Sequence, residues 1–183
     1  MKKALINIDY TRDFVAENGA LTCGEPGRKI EDAIADITER FIANDDYVVF
    51  AIDYHSKWFD IYHPETDLFP PHNIERTAGR RLYGKLRNVY IKHILNRNVY
   101  WIDKTRYSAF VGTDLELKLR ERGINELHIV GVCTDICVLH TVIDAYNKGF
   151  YVVVHKDAVA SFNQTGHDWA LEHFEKTLGV SVV

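Results

Sequence analysis

The stretch Glu126-Leu127-His128-Ile129-Val130-Gly131-Val132-Cys133-Thr134-Asp135-Ile136-Cys137-Val138 decides how the rest of the chain reads. Its first seven residues form a short apolar run of the kind that becomes a strand covered on both faces. The next five turn, and Val138-Leu139-His140-Thr141-Val142-Ile143-Asp144-Ala145-Tyr146 continues as a helix. This reading puts Cys137 in the first helical turn, where unpaired backbone N–H groups and the positive end of the helix dipole favour an anion. The setting predicts a thiol acidified from its ordinary pKa of about 8.5, and so a nucleophile. The competing reading is a small buried hydrophobe, the commoner fate of a free cysteine.

The same alternation recurs on either side. Residues 4–8, 47–52, 99–102, 127–132, 151–154 and 180–183 are short apolar runs without strict polar alternation. Between them lie amphipathic segments. Ile30, Ala33, Ile34, Ile37 and Phe41 repeat at helical spacing over 28–43. Thr113 and Glu116 predict a capping box for a helix through Arg122, closed by Gly123. A last helix is expected over 168–178, with Leu171, Phe174 and Leu178 inward and Gly179 as its stop. Strands alternating with helices predict an α/β fold: a parallel sheet with right-handed crossovers and helices on both faces, with 1–183 as one domain. The irregular parts are 17–27 and 56–77. The second is long for a connection, and its aromatics and histidines mark it as part of a site.

Composition narrows the classes. A chain of 183 residues suits one domain with one substantial core. The net charge of −4 and the lack of a basic run point away from a nucleic-acid surface. No apolar run approaches membrane-spanning length, and the one after Lys2-Lys3 is too short for a signal peptide. Three cysteines are too few, and odd in number, for a disulfide framework, which leads us to expect a reducing, cytoplasmic compartment.

In open parallel sheets, ligands bind beyond the carboxyl ends of the strands. Here the first strand is followed by Asp9, the second by Asp53, the third by Asp103-Lys104, and the fourth by Cys133 and Cys137. One strand-end aspartate is usually a turn former or cap, but four such ends would converge on one crevice. A cysteine nucleophile needs a proton acceptor and a positive field; Asp9 can supply the first and Lys104 the second. Lys104 could otherwise be an exposed salt-bridge partner. No histidine stands where a papain-like Cys–His pair would need it.

A second set follows the second strand: Asp53-Tyr54-His55, His63-Pro64-Glu65 and Phe69-Pro70-Pro71-His72. Asp53 and His55, two apart, project to the same side, and the long loop can bring Glu65 and His72 round to them. His63 is the rival to Glu65. Mixed imidazole and carboxylate donors suit zinc, manganese or ferrous iron. His93, His128, His155, His167 and His173 read as ordinary surface residues.

Together these residues resemble the nicotinamidases of the isochorismatase-like cysteine hydrolases over essentially the whole chain. The resemblance is carried by 8–14, 52–55, 63–65, 69–72, 103–104, 107–110 and 131–138 in this order and spacing. The glutamate beside the metal set is most similar to the streptococcal-type enzymes. The resemblance implies a three-layer α/β/α, Rossmann-like fold around a six-stranded, mostly parallel sheet, and a catalytic set of Asp9, Lys104 and Cys137. It implies one divalent metal on Asp53, His55, Glu65 and His72, with zinc favoured over manganese or iron. It also implies a non-proline cis peptide between Val132 and Cys133, aiming the backbone N–H groups of Cys133 and Cys137 as an oxyanion hole. Phe14, Phe69 and Tyr107 would wall the substrate ring, although each could equally be core. The implied reaction is hydrolysis of nicotinamide, with pyrazinamide as a second substrate, in NAD salvage. The expected partner is that small molecule, with no nucleic acid or membrane, and a homo-oligomer is compatible. The rivals are an N-carbamoyl amide hydrolase, a metal-hydroxide hydrolase, and a redox or ligand-binding module using Cys133 and Cys137.

Overall fold

β1 (Lys3–Ile8), β2 (Tyr47–Asp53), β3 (Val99–Lys104), β4 (Glu126–Val132), β5 (Tyr151–Ala160) and β6 (Ser181–Val182) form one sheet. Its order is β3-β2-β1-β4-β5-β6, and every pairing is parallel. The structure is a computed structural model and describes residues 2–57 and 62–183. α1 (Arg12–Val15), α3 (Glu31–Ala43) and α4 (Gly84–His93) cover one face of the sheet, with α2 (Gly24–Lys29) leading into α3. α5 (Leu115–Glu121), α6 (Leu139–Asn147) and α7 (Gln164–Lys176) cover the other. Among the described residues, no helix is long and apolar enough to cross a membrane.

The two-residue period of a strand sends its side chains to the two faces in turn. Val48, Phe50 and Ile52 of β2 pack with Ile34, Ile37 and Phe41 of α3. Tyr47, Val49 and Ala51 pack on the opposite side with residues of α5, α6 and α7. All seven residues of β2 are buried, as a strand covered on both faces requires. Each large aliphatic side chain so covered contributes about 1.5–3 kcal/mol.

The strand order reverses between β1 and β4, which opens the crevice at their carboxyl ends. Gly131 lets those two strands close together there. Its φ of +121° is unfavourable for a side chain, and a Cβ would stand 2.0 Å from the carbonyl oxygen of Ile8.

Several elements differ from expectation. The helix expected over 28–43 is two, α2 and α3, meeting at Ile30. The capping box does not form. Thr113 Oγ1 accepts from Leu115 N–H at 3.3 Å and donates to the Ala109 carbonyl at 2.6 Å, while Glu116 pairs with Lys148 at 2.7 Å. β5 continues to Ala160, well beyond 154, and β6 is shorter than expected. α7 starts at Gln164 because the Asn163 side chain caps Gly166 N–H at 3.1 Å. α4 is an addition to the expected helices: Leu86, fully buried, and the partly buried Val89 and Tyr90 stand at helical spacing and pack against the same core. The 56–77 segment contains a 3₁₀ turn, Pro64–Asp67, and its residues 58–61 lie outside the described ones.

Candidate active site

Asp9 leaves β1 with a left-handed φ of 54°. Its Oδ1 accepts from the Asp53 N–H at 2.7 Å, tying the end of β1 to the end of β2. Lys104, the last residue of β3, is fully buried, so the exposed salt-bridge reading does not apply. Its Nζ lies 2.7 Å from Asp9 Oδ2, 3.0 Å from Asp53 Oδ1 and 3.6 Å from Cys137 Sγ. One ammonium therefore faces two carboxylates and a sulfur, and a fourth contact reaches the Arg106 carbonyl at 3.2 Å.

Burial and charge compete at each group. Burial alone would lower the Lys104 pKa, but Asp53, Asp9 and the sulfur hold it well above its ordinary value. Burial would raise Asp53, yet Lys104, His55 and His72 keep it well below the usual carboxylate range. Asp9 is pushed up to about 6, by burial first, with Lys104 opposing and Asp53 adding. Burial likewise pushes the Cys137 thiol well above its usual range, against the pull of Lys104. This corrects the expectation of a thiol acidified by a helix terminus. Cys137 sits in a π-helical turn, Thr134–Val138, ahead of α6, and its burial outweighs the neighbouring positive charge.

That turn is held from several sides. The Val132–Cys133 peptide is cis. Val138 N–H donates to the Cys133 carbonyl at 3.2 Å. Thr141 Oγ1 donates to the Cys137 carbonyl at 2.7 Å and accepts from Ala109 N–H at 3.0 Å. Ser161 holds Asp135 at 2.6 Å, and Thr134 Oγ1 meets His167 Nδ1 at 2.8 Å, so His167 is not the plain surface residue it reads as. All three cysteines are free, and the sulfur of Cys133 lies 3.1 Å from that of Cys23. The thiol pair that spacing makes of Cys133 and Cys137 is, in space, Cys133 and Cys23.

Asp53, at the end of β2, is shared between two groups. Its Oδ1 faces Lys104, while its Oδ2 lies 3.3 Å from His55 Nε2 and 3.4 Å from His72 Nε2. Glu65 Oε2 completes the set at 3.9 Å from His55 Nε2 and 3.7 Å from His72 Nε2. One donor atom from each of these four residues lies within 4.8 Å of the others. Donors about 2.1 Å from a tetrahedral ion stand about 3.4 Å apart, so the spacing and the donor chemistry fit a divalent cation. His72 Nδ1 meets the Pro70 carbonyl at 2.8 Å, which fixes Nε2 as its free donor. His63 is otherwise occupied. Its Nε2 meets the Thr105 carbonyl at 2.7 Å and its Nδ1 accepts from Glu65 N–H at 3.3 Å, leaving no ring nitrogen for a metal.

A small, narrow cavity lies between the two groups, with Asp53, Glu65, His72 and Cys137 among its lining. Phe14, Phe69 and Tyr107 line it, as do Leu21, Ile136 and Phe162, which sequence reasoning missed. Phe162 follows the end of β5, and the strand-end rule reaches it once that strand is drawn to Ala160. Asp103 stays outside: it pairs with Arg80 and accepts from Trp101 Nε1 at 2.7 Å.

The family model for the isochorismatase domain matches residues 3–182. An uncharacterized isochorismatase family protein of Bacillus subtilis, PncA, is 68% identical over 182 residues, covering 100% of this chain and 99% of that protein. The crystal structure of nicotinamidase/pyrazinamidase PncA from Bacillus subtilis has a TM-score of 0.98 at 65% identity, covering 100% of both chains. That of the pyrazinamidase/nicotinamidase from Streptococcus mutans UA159 has a TM-score of 0.97 at 52% identity, again over 100% of both. The pyrazinamidase of Pyrococcus horikoshii in complex with zinc has a TM-score of 0.86 at 29% identity, covering 100% of this chain and 99% of that one.

Proposed function

The chain belongs to the isochorismatase family, and from that premise we propose that it is a nicotinamidase, hydrolysing nicotinamide to nicotinate and ammonia with Cys137 as nucleophile. The observation that carries this reading is a shared space: Cys137, whose sulfur meets Lys104 at 3.6 Å, and three of the four metal donors, Asp53, Glu65 and His72, line the same small cavity. The four donors favour nicotinamide over the N-carbamoyl amide alternative, whose relatives generally lack such a set.

In this mechanism Asp9 accepts the thiol proton, a task suited to a carboxyl raised to about 6. The ammonium of Lys104, 3.6 Å from the sulfur, stabilises the thiolate as it forms. The thiolate attacks the amide carbon. The backbone N–H groups of Cys133 and Cys137 receive the oxyanion, and losing one such donor typically costs about 10²–10³ in rate. Asp9 returns its proton to the departing ammonia, then serves as base for the water that cleaves the thioester. Phe14, Phe69 and Tyr107 hold the ring and keep bulk water out.

Asp53, His55, Glu65 and His72 would hold the divalent ion, zinc in our reading. When bound, that ion supplies a Lewis acid for the ring nitrogen of the substrate. Asp53 and Glu65 balance its charge, which suits a neutral pyridine. Pyrazinamide, with an equivalent ring nitrogen, is the expected second substrate, and the cytoplasm the expected compartment.

Ammonia release from nicotinamide, with and without a chelator, in wild type and Cys137→Ala, tests the reading. Activity that needs both the metal and the sulfur is expected. A Cys137→Ala protein that keeps its turnover would replace the thioester route with metal-hydroxide attack.

A further inference from the structure

We propose that Asp13 is a positioning residue for the metal donors and acts through Asn73. The inference rests on the metal reading above and concerns residues outside the four donors. Asn73 follows His72 directly, and its carbonyl accepts the backbone N–H of His55 at 3.2 Å. It is the backbone link between two donors. It is fully buried and has a φ of 44°, a left-handed conformation that asparagine tolerates better than most residues.

Two side chains from the segment after β1 hold it there. Asp13 Oδ2 accepts from Asn73 N–H at 2.8 Å, and Thr11 Oγ1 donates to Asn73 Oδ1 at 2.9 Å. Asp13 is itself fixed at both backbone groups. Its N–H donates to the Gly79 carbonyl at 2.9 Å, and its carbonyl accepts from Leu21 N–H at 3.0 Å. Gly79 leaves the room its carboxylate needs, since a Cβ at that position would lie 2.2 Å from Asp13 Oδ2. The rigid exit of β1 thus sets where His55 and His72 stand relative to one another. Partners of this kind, one step removed from a metal, typically tune its affinity about 10–100-fold.

Zinc and manganese dissociation constants, measured by competition with a chelating dye in wild type, Asp13→Ala, Asp13→Asn and Thr11→Val, test this. Asp13→Ala is expected to bind the ion about 10–100-fold more weakly, with kcat recovered at saturating metal. Asp13→Asn keeps an acceptor for Asn73 N–H and should stay close to wild type; Thr11→Val should fall between. A purely structural role would lower the melting temperature in chelator and leave the dissociation constant of the folded protein unchanged, which overturns the proposal. Asp13→Asn as weak as Asp13→Ala overturns it too, because charge rather than the hydrogen bond would then matter. If Asp13→Ala does not fold, unchanged metal binding in Thr11→Val is the overturning result. A wild type that holds neither ion would instead sink the metal reading itself.

Discussion

Lys104 donates a hydrogen bond to the sulfur of Cys137 across 3.6 Å, from a position with no solvent exposure. The same ammonium separates the carboxylates of Asp9 and Asp53. Lys104→Met would leave two buried carboxylates facing each other without a cation, and breaking such a group typically costs about 3–5 kcal/mol. Urea denaturation in the presence of a chelator should show that loss, and ammonia release should fall with it. A variant as stable as wild type would mean that Asp9 and Asp53 share their charge in some other way.

Glu65→Gln keeps the shape of the donor set and removes one negative charge from it. Metal retention during dialysis should weaken by about tenfold or more, with turnover largely recovered at saturating metal. A loss of turnover that added metal does not restore would give Glu65 a direct part in the chemistry instead.

Gly131→Ala should be among the most damaging single-methyl additions available. The new Cβ would meet the Ile8 carbonyl oxygen at 2.0 Å, in a backbone conformation that already disfavours a side chain. Strain and overpacking together predict a loss of about 3 kcal/mol or more, readable by thermal or chemical denaturation. A mild effect would be inconsistent with the close approach of β1 and β4.

Acid stability should depend on His155, far from the cavity. Burial first, then His128, Arg40 and Lys3, lower its pKa from 6.5 to about 4. His128 Nδ1 lies 2.8 Å from its Nε2. Above pH 6.5 both folded and unfolded chains carry a neutral imidazole, and stability is complete. Between 6.5 and 4 the unfolded chain gains a proton that the folded one refuses, so stability falls as the pH falls. Melting temperatures of wild type and His155→Gln should converge in shape above that window and diverge within it, with the variant losing less. Parallel curves throughout would falsify this assignment.

Much of this arrangement was readable from residue order. Apolar runs of strand length fixed the sheet, and the residues just past them fixed where side chains gather. Asp9, Asp53, Lys104 and Cys137 are all found by that one rule, and the structure brings them together. What stayed hidden depends on tertiary contact. α4 carries a short stripe, Leu86, Val89 and Tyr90, that packs on the core, but only Leu86 of it is fully buried and charged residues such as Lys85, paired with Asp32, surround it. The end of β5 mixes exposed with buried residues, so its reach to Phe162 could not be seen. The raised thiol pKa of Cys137 follows from burial, which local sequence does not report. The choice between His63 and Glu65 as candidate donor turned on the Thr105 carbonyl, forty-two positions away from His63.

Three of the four clustered donors, His55, Glu65 and His72, come from the single excursion between β2 and α4, whereas Asp9, Lys104 and Cys137 emerge from three different strand ends. Most of the candidate metal group is therefore contributed by one contiguous stretch of the chain, while the Cys–Lys–Asp group is assembled from distant ones. Yet that stretch is laced to the sheet, Asn73 to Asp13 and Arg80 to the carbonyls of Ile52 and Asp53, so a change within it is felt at the strand ends. Asp53, with one oxygen on Lys104 and the other facing His55 and His72, is the hinge through which any such change would be transmitted from one group to the other.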